Sequence, residues 1–435
     1  STGSQPMSFG AGRYWITHNG EIYNFIELRE QLVGLGYDFR SESDTEVVLA
    51  AFVQWGEDCQ LRFNGMWAFA IWDAEQRRLF LSRDRFGVKP LFYYLGRQRL
   101  AFASEMKSFL PLSWFPATFN PAAVATAVAD PTALETSEWC AMSGVRRLRA
   151  GHSLSVRAGA EPEPRRWWNT AEHLESVPGR FGAQVEAFRE RLSKAVSLRM
   201  RSDIPVGSTL SGGLDSSSIL AMAASREDSS AEGARRRASV PTPFVASYPG
   251  TRRDERAHAL EVAMHLGIAP VVIEVDAAKM MEVLDDFLFQ CEEVQSPHPG
   301  PWLLYREMAK AGIRVSLDGH GGDELLAGYP EHVRVARESA LWPVPRLHRG
   351  AEMGALLRGM AGEPGAHRAF QDWIDSSKEY LAHAKKRWTA HRRSARSGNP
   401  TKPAQFLRVE PLCRSGVEEP LPRSISRDPV TARLF

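Results

Sequence analysis

Apolar positions in the first hundred residues switch between two periods. Tyr14-Trp15-Ile16-Thr17-His18 reads as a strand that stops at Asn19-Gly20, a turn pair. Phe25, Leu28, Leu32 and Leu35 recur at helical spacing, and Val47, Val48, Ala51, Phe52 and Trp55 mark a second helix capped by Ser43 or Asp44. Strand-like runs follow at 66–72, 78–82, 91–95 and 100–103. Two helices before several antiparallel-looking strands predict a layered α+β domain with helices on its sheet.

Residues 106–180 are looser. With the charged, proline-bearing run Glu161-Pro162-Glu163-Pro164-Arg165-Arg166, they read as a connecting region, part strand and part linker. Val185, Phe188, Leu192, Val196 and Met200 then share one helix face. From Val206 onward, strands near 206–210, 244–248, 271–275 and 313–317 alternate with helices near 219–224, 255–266, 279–289 and 303–311. That βαβ rhythm predicts a parallel sheet with helices on both faces. The expected division of this α/β chain is a first domain over 1–150, a linker over 151–181, a second domain over 182–330 and a mostly helical continuation over 331–435. Residues 226–243 and 390–402 read as excursions, and the chain shows no internal repeat.

Bulk properties narrow the classes. At 435 residues the chain holds two or more domains, and 43% apolar content suffices for ordinary cores. A net charge of +2 with both signs interspersed argues against nucleic acid as partner. Cys59, Cys140, Cys291 and Cys413 lie far apart and form no C-x-x-C pair, which disfavours zinc, redox and sulfur-transfer roles and suits a reducing cytoplasm. No apolar run reaches membrane-span length, so no membrane partner is expected; a homodimer is left open.

The densest chemistry lies in Leu210-Ser211-Gly212-Gly213-Leu214-Asp215-Ser216-Ser217, between a short strand and a helix start. Two glycines let backbone N–H groups approach a ligand, and the helix N-terminus favours an anion. Ser211, Ser216 and Ser217 can donate to phosphate oxygens, whereas Asp215 would repel bare phosphate and so implies a divalent cation. The loop is neither a Walker A sequence nor a dinucleotide fingerprint. It resembles the PP-loop of the ATP pyrophosphatases, which split ATP between the α and β phosphates. A second glycine bend, Asp318-Gly319-His320-Gly321-Gly322-Asp323-Glu324, follows the last strand. Asp323 there can share Mg²⁺ with Asp215, or simply favour its own helix N-terminus.

Taken in order, these motifs resemble glutamine-dependent asparagine synthetases. The front half adds Asn19-Gly20-Glu21-Ile22-Tyr23-Asn24, Ser43-Asp44-Thr45-Glu46 and Arg83-Asp84-Arg85-Phe86-Gly87-Val88-Lys89-Pro90-Leu91, which resemble that family's N-terminal-nucleophile glutaminase domain. The likeness extends over about residues 5–330. It implies an oxyanion hole at the Asn19 side chain and the Gly20 N–H. It also implies a glutamine ammonium site at Glu21 and Asp44. In the second half it implies pyrophosphate contacts at Ser211, Gly212, Gly213, Asp215 and Ser216, adenine or ribose contacts at Leu210 and Gly319, and Mg²⁺ at Asp215 and Asp323. The run from Arg83 to Leu91 is expected to brace the sheet.

Three departures matter. The family's nucleophile is an N-terminal cysteine, yet this sequence starts Ser1-Thr2-Gly3 and its first cysteine is Cys59. Ser1 stands 18 residues before Asn19, too few for the family's opening strands. The front of that domain is therefore expected to be missing from this stretch, which alone should lack glutaminase activity; a Met-Cys-Gly start roughly fifty residues upstream would restore it. The family's R-V-P-F-L-D motif is not found, so a downstream continuation is also expected. Finally, His320 stands where the family usually has glutamate, and it can act as base on the incoming nitrogen or merely hydrogen-bond in the loop. The resemblance implies an ATP- and Mg²⁺-dependent ligase that adenylates a carboxylate, most readily aspartate, and aminates it with ammonia from glutamine. The alternatives are a lactam-, macrolactam- or amide-forming enzyme of natural-product synthesis, and a non-catalytic nucleotide-binding fragment.

Overall fold

The computed structural model describes residues 3–96, 99–130, 133–134, 137–157, 162–225, 239–292 and 299–329. The expected helices over 331–390 and the excursion at 390–402 lie outside the described residues, as does most of the excursion at 226–243. The chain divides into two units, Ser1–His320 and Gly321–Phe435.

The first unit opens with β1 (Met7–Phe9), β2 (Tyr14–Ile22), α1 (Phe25–Gly34), α2 (Asp44–Trp55), β3 (Gly65–Asp73), β4 (Arg78–Arg83), β5 (Phe92–Leu95) and β6 (Leu100–Ala103). Then come α3 (Pro121–Ala129), β7 (Val145–Arg147), β8 (His152–Arg157) and β9 (Pro164–Arg166). Among the described residues, an antiparallel sheet runs β1-β2-β3-β4-β8-β9 and a smaller one runs β6-β5-β7. The apolar run in β3 has a simple cause. Trp67, Phe69 and Ile71 pack against α1 and α2 through Leu28, Leu32, Val48 and Phe52. Ala68 and Ala70 face the opposite way, with Leu91, Tyr93, Leu148 and Leu154. A strand buried on both faces cannot alternate with polar residues.

Two readings of the sequence change here. Asn19-Gly20 is not a turn: β2 runs through it, with Asn19 opposite Ala68 and Gly20 opposite Trp67. A Cβ on Gly20 would strike the Met66 carbonyl oxygen, so the glycine answers to a closely approaching strand. The stretch 151–181 is not only linker, because β8 pairs with β4 and extends the large sheet. Alternation there was masked by short strands and by Pro162 and Pro164. The Arg83–Leu91 run braces the sheet as expected. Asp84 accepts N–H bonds from Phe86 (3.1 Å), Val88 (2.9 Å), Lys89 (3.0 Å) and, across the ladder, Trp67 (3.2 Å).

The remainder of the unit comprises α4 (Phe181–Arg199), β10 (Val206–Thr209), α5 (Leu214–Ala224), β11 (Thr242–Ser247), α6 (Arg256–Leu266), β12 (Val271–Glu274), α7 (Ala277–Glu282), α8 (Leu284–Cys291), α9 (Pro299–Lys310) and β13 (Val315–Ser316). All pairings in the sheet β12-β11-β10-β13 are parallel. The chain moves outward from β10 to β12, then returns to β10's other side, so a topological switch point falls between β10 and β13. The apolar stripe of α4 is buried only toward its end. Val196 and Met200 pack on Ala223 and on Ile219, Met222 and Leu317, while Val185 and Phe188 stay 40% and 48% exposed. The helix expected over 279–289 breaks at Val283, whose buried side chain joins Val275 and Leu303. Of the second unit, α10 (Gly322–Leu326) is described. Among the described residues no helix is long and apolar enough to cross a membrane.

Candidate functional site

The two glycine bends leave the carboxyl ends of β10 and β13, the position where ligands enter open parallel sheets. Leu210 directly follows the first strand, with its side chain buried among Leu220, Val245, Ala259 and Ala263. That leaves its backbone, not its side chain, to face a ligand. Ser211 Oγ accepts the Gly213 N–H (3.1 Å) and lies 3.0 Å from Ser216 Oγ, so the loop's own hydroxyls fix its curvature. Gly212 has φ +84, and a Cβ there would stand 2.6 Å from backbone and side-chain atoms of His258 and Ala259. Gly213 caps α5, and Asp215 lies in its first turn. Ser217 Oγ is buried and has no hydrogen-bond partner among the described residues.

The second bend is tied to the first. Asp318 accepts the Thr209 N–H (2.7 Å), the Ser316 hydroxyl (2.6 Å) and the Tyr305 hydroxyl (2.7 Å). Burial opposes its ionisation, yet His320, Ser316, the Thr209 N–H and Tyr305 bring its pKa down to about 2. Burial and the Asp318 charge push the Tyr305 phenol up. Gly319 rides directly on α5: a Cβ there would be 2.7 Å from the Ser216 nitrogen. His320 is 70% exposed, with Nδ1 3.8 Å from Asp318 Oδ2. Asp323 opens α10 in the second unit. The sequence reading named both glycines and His320 but gave Asp318 no role, since the Thr209 N–H that makes it a tie between strands lies 109 positions away. Its place at a strand end was the only local signal.

The front-half residues also converge. Asn19 Nδ2 donates to Ser104 Oγ (3.1 Å) beside a cleft of about 170 Å³ lined by Gln5, His18, Asn19, Ala68, Phe102 and Ser104. Asp44 Oδ2 accepts the Ile22 N–H (2.9 Å), which brings it to Glu21. Burial first, then Asp44 and Asp203, raise the Glu21 pKa to about 8, against a weaker opposing pull from Lys89. His18 was missed, although it directly precedes Asn19. Its ring is buried, with Nδ1 3.2 Å from Thr45 Oγ1 and 3.9 Å from Asp44 Oδ2. Burial pushes its pKa down, against the opposing pull of Asp44.

One chain thus carries a cleft among antiparallel strands and a parallel sheet with a serine-glycine cradle at its switch point. Residues 1–168 match the family model of the glutamine amidotransferase domain, and residues 187–417 match that of asparagine synthase. The glutamine-hydrolysing asparagine synthetase 1 of Bacillus subtilis is 30% identical over 89% of this chain and 60% of its own length. Asparagine synthetase 3 of the same organism is 30% identical over 75% and 54%. Amidase chyE of Penicillium rubens is 28% identical over 88% and 58%. The chain thus spans 54% to 60% of the length of these relatives, and it belongs to the glutamine-dependent asparagine synthetase family.

Asp318→Asn tests the tie between the bends. The carboxyl pKa is depressed when folded, so its stabilisation is complete above the unfolded value near 4 and disappears as pH falls through 2. Urea titrations should show the variant losing about 2 kcal/mol at pH 6, with the gap closing toward pH 2. A gap independent of pH would remove this role.

Proposed function

We propose that this chain forms the core of an ATP-dependent amide-forming ligase. The enzyme activates a carboxylate as its adenylate with release of pyrophosphate. A nitrogen nucleophile then displaces AMP. Aspartate is the proposed acceptor and glutamine the nitrogen source. The single observation that carries the reading is the cradle itself, where positions 212 and 319 leave room only for glycine against α6 and α5.

Ser211, Gly212, Gly213, Ser216 and Ser217 would hold the pyrophosphate moiety, and the backbone at Leu210 and Gly319 the nucleoside. Asp215 would hold Mg²⁺, which when bound neutralises phosphate charge. The unpartnered Ser217 hydroxyl fits such a phosphate neighbour. Exposed His320 would take a proton from the attacking nitrogen, with Asp318 as its nearby anion. In the front half, Asn19 and Gly20 would supply donors to an oxyanion, and Glu21 and Asp44 would bind the ammonium of glutamine.

Aspartate-dependent exchange of pyrophosphate into ATP is the primary assay, with other carboxylates and peptides as competing acceptors. Gly212→Val should abolish exchange and ATP binding while leaving the melting of the front half unchanged. Exchange that survives in the variant would remove the cradle. His320→Gln should flatten the rise of amide formation between pH 6 and 8. An unchanged profile would leave His320 no role as base.

Glu21 gives a pH signature of its own. A carboxyl with pKa about 8 must ionise before it can pair with an ammonium, so affinity for glutamine should climb about ninefold from pH 6 to pH 7. Calorimetry should also register proton release to buffer. Glu21→Gln should remove both, and their persistence would sink the assignment.

A further inference from the structure

Two charged contacts join the front half of the first unit to its nucleotide-binding half, and both land beside the proposed glutamine site. Arg201 lies just past α4, five residues before β10 begins. Its Nη1 donates to the Tyr23 carbonyl (2.7 Å) and Glu27 Oε2 (2.8 Å), and its Nη2 to Glu27 Oε1 (2.7 Å). Arg199 lies over the Tyr23 ring, 5.1 Å from its centroid. Tyr23 is two residues past Glu21. On the other side, Glu292 caps a 3-10 turn of the front half, accepting the N–H groups of Met106 (2.6 Å) and Lys107 (2.7 Å), with Lys107 Nζ at 3.3 Å. Met106 is two residues past Ser104, the partner of Asn19. Glu292 holds φ +59, an unfavourable backbone for a residue with a side chain, and its buried carboxylate contacts offset that cost.

Each contact is in series with the nucleotide cradle. Met200, next to Arg201, packs with Val196 on Ala223 of α5, the helix whose N-terminus is the cradle. Glu292 terminates α8, whose neighbour α9 packs Leu304 and Met308 on Phe244 of β11 and supplies Tyr305 to Asp318. Displacement of α5 or α9 therefore moves a fork or a cap attached to the strand edge that carries Glu21, or to the loop that carries Ser104.

We propose that Arg201 and Glu292 are positioning residues that couple occupancy of the nucleotide site to the affinity of the glutamine site. The geometry suits discrete coupling: a guanidinium gripping one carboxylate and one carbonyl, and a carboxylate gripping two N–H groups, tolerate little sliding. This proposal rests on the ligand assignments above, and the test separates the two.

Glutamine is titrated calorimetrically into the full chain with and without saturating Mg²⁺ and α,β-methylene-ATP. In the parent protein the nucleotide should change glutamine affinity about fivefold or more. Arg201→Ala and Glu292→Gln should bring that ratio below twofold while each ligand alone binds within twofold of the parent. Arg201→Lys, which keeps charge but not the fork, should restore it only in part. Glu27→Gln cuts the first contact from the opposite side, at an exposed position that leaves the core intact, and should behave like Arg201→Ala. No nucleotide effect in the parent, or an undiminished effect in Glu27→Gln and Glu292→Gln, overturns the coupling. Failure of either ligand to bind the parent alone overturns the assignments beneath it.

Discussion

The joint between β10 and β13 rests on one buried carboxylate. β13 meets β10 over two residue pairs, Val206 with Val315 and Gly207 with Ser316, too short a ladder to fix the bend that follows. Asp318 extends the joint by accepting the Thr209 N–H from β10, the hydroxyl of Ser316 on β13 and that of Tyr305 on α9. A buried charge is tolerable only when its lone pairs are filled, and here three donors from three elements fill them. The consequence is geometric: with the strand ends fixed, Gly319 is pressed against the first turn of α5. Gly319 keeps its place against α5 because this carboxylate holds the seam, while the first bend is fixed by its own serine hydroxyls.

The front half uses carboxylates in the opposite way. Glu21 and Asp44 are near neighbours, and Lys89 offsets burial and like-charge repulsion only partly. Where Asp318 is settled by its donors, Glu21 is left short of positive charge. Equal chemistry thus has two outcomes: hydrogen-bond donors lower the Asp318 pKa, while burial and like charge raise that of Glu21. Asn19 sits within the same antiparallel ladder, on a strand whose register admits only glycine at the next position.

Much of this was legible along the chain because it is local. The helices at Phe25–Gly34 and Asp44–Trp55 follow from apolar spacing and the Ser43 cap, and the βαβ alternation after Val206 follows from period and length. The serine-glycine loop announced itself through composition. Asn19-Gly20 misled because the same dipeptide suits a hairpin turn and a crowded strand, and only the neighbouring strand decides between them. β8 and β9 escaped because strands of six and three residues with nearby prolines carry little periodic signal. Asp318, His18, Arg201 and Glu292 share a further reason. Each has a decisive partner far away in sequence, 109 positions for Asp318 and Thr209 and 174 for Arg201 and Glu27, and no short window along the chain contains both.

The departure at position 320 becomes intelligible beside Asp318. A carboxylate at 320 would place a second anion about as near to Asp318 as His320 Nδ1 now stands, 3.8 Å. Such a pair would raise one of the two pKa values and weaken the tie that Asp318 makes to Thr209. An imidazole avoids this: neutral it does not repel, and protonated it is drawn to Asp318. The two residues are therefore best understood together. With aspartate as the seam-holding residue at 318, histidine is the base-capable side chain that the local charge admits at 320, and a proton taken up there is stabilised by an anion already held in place.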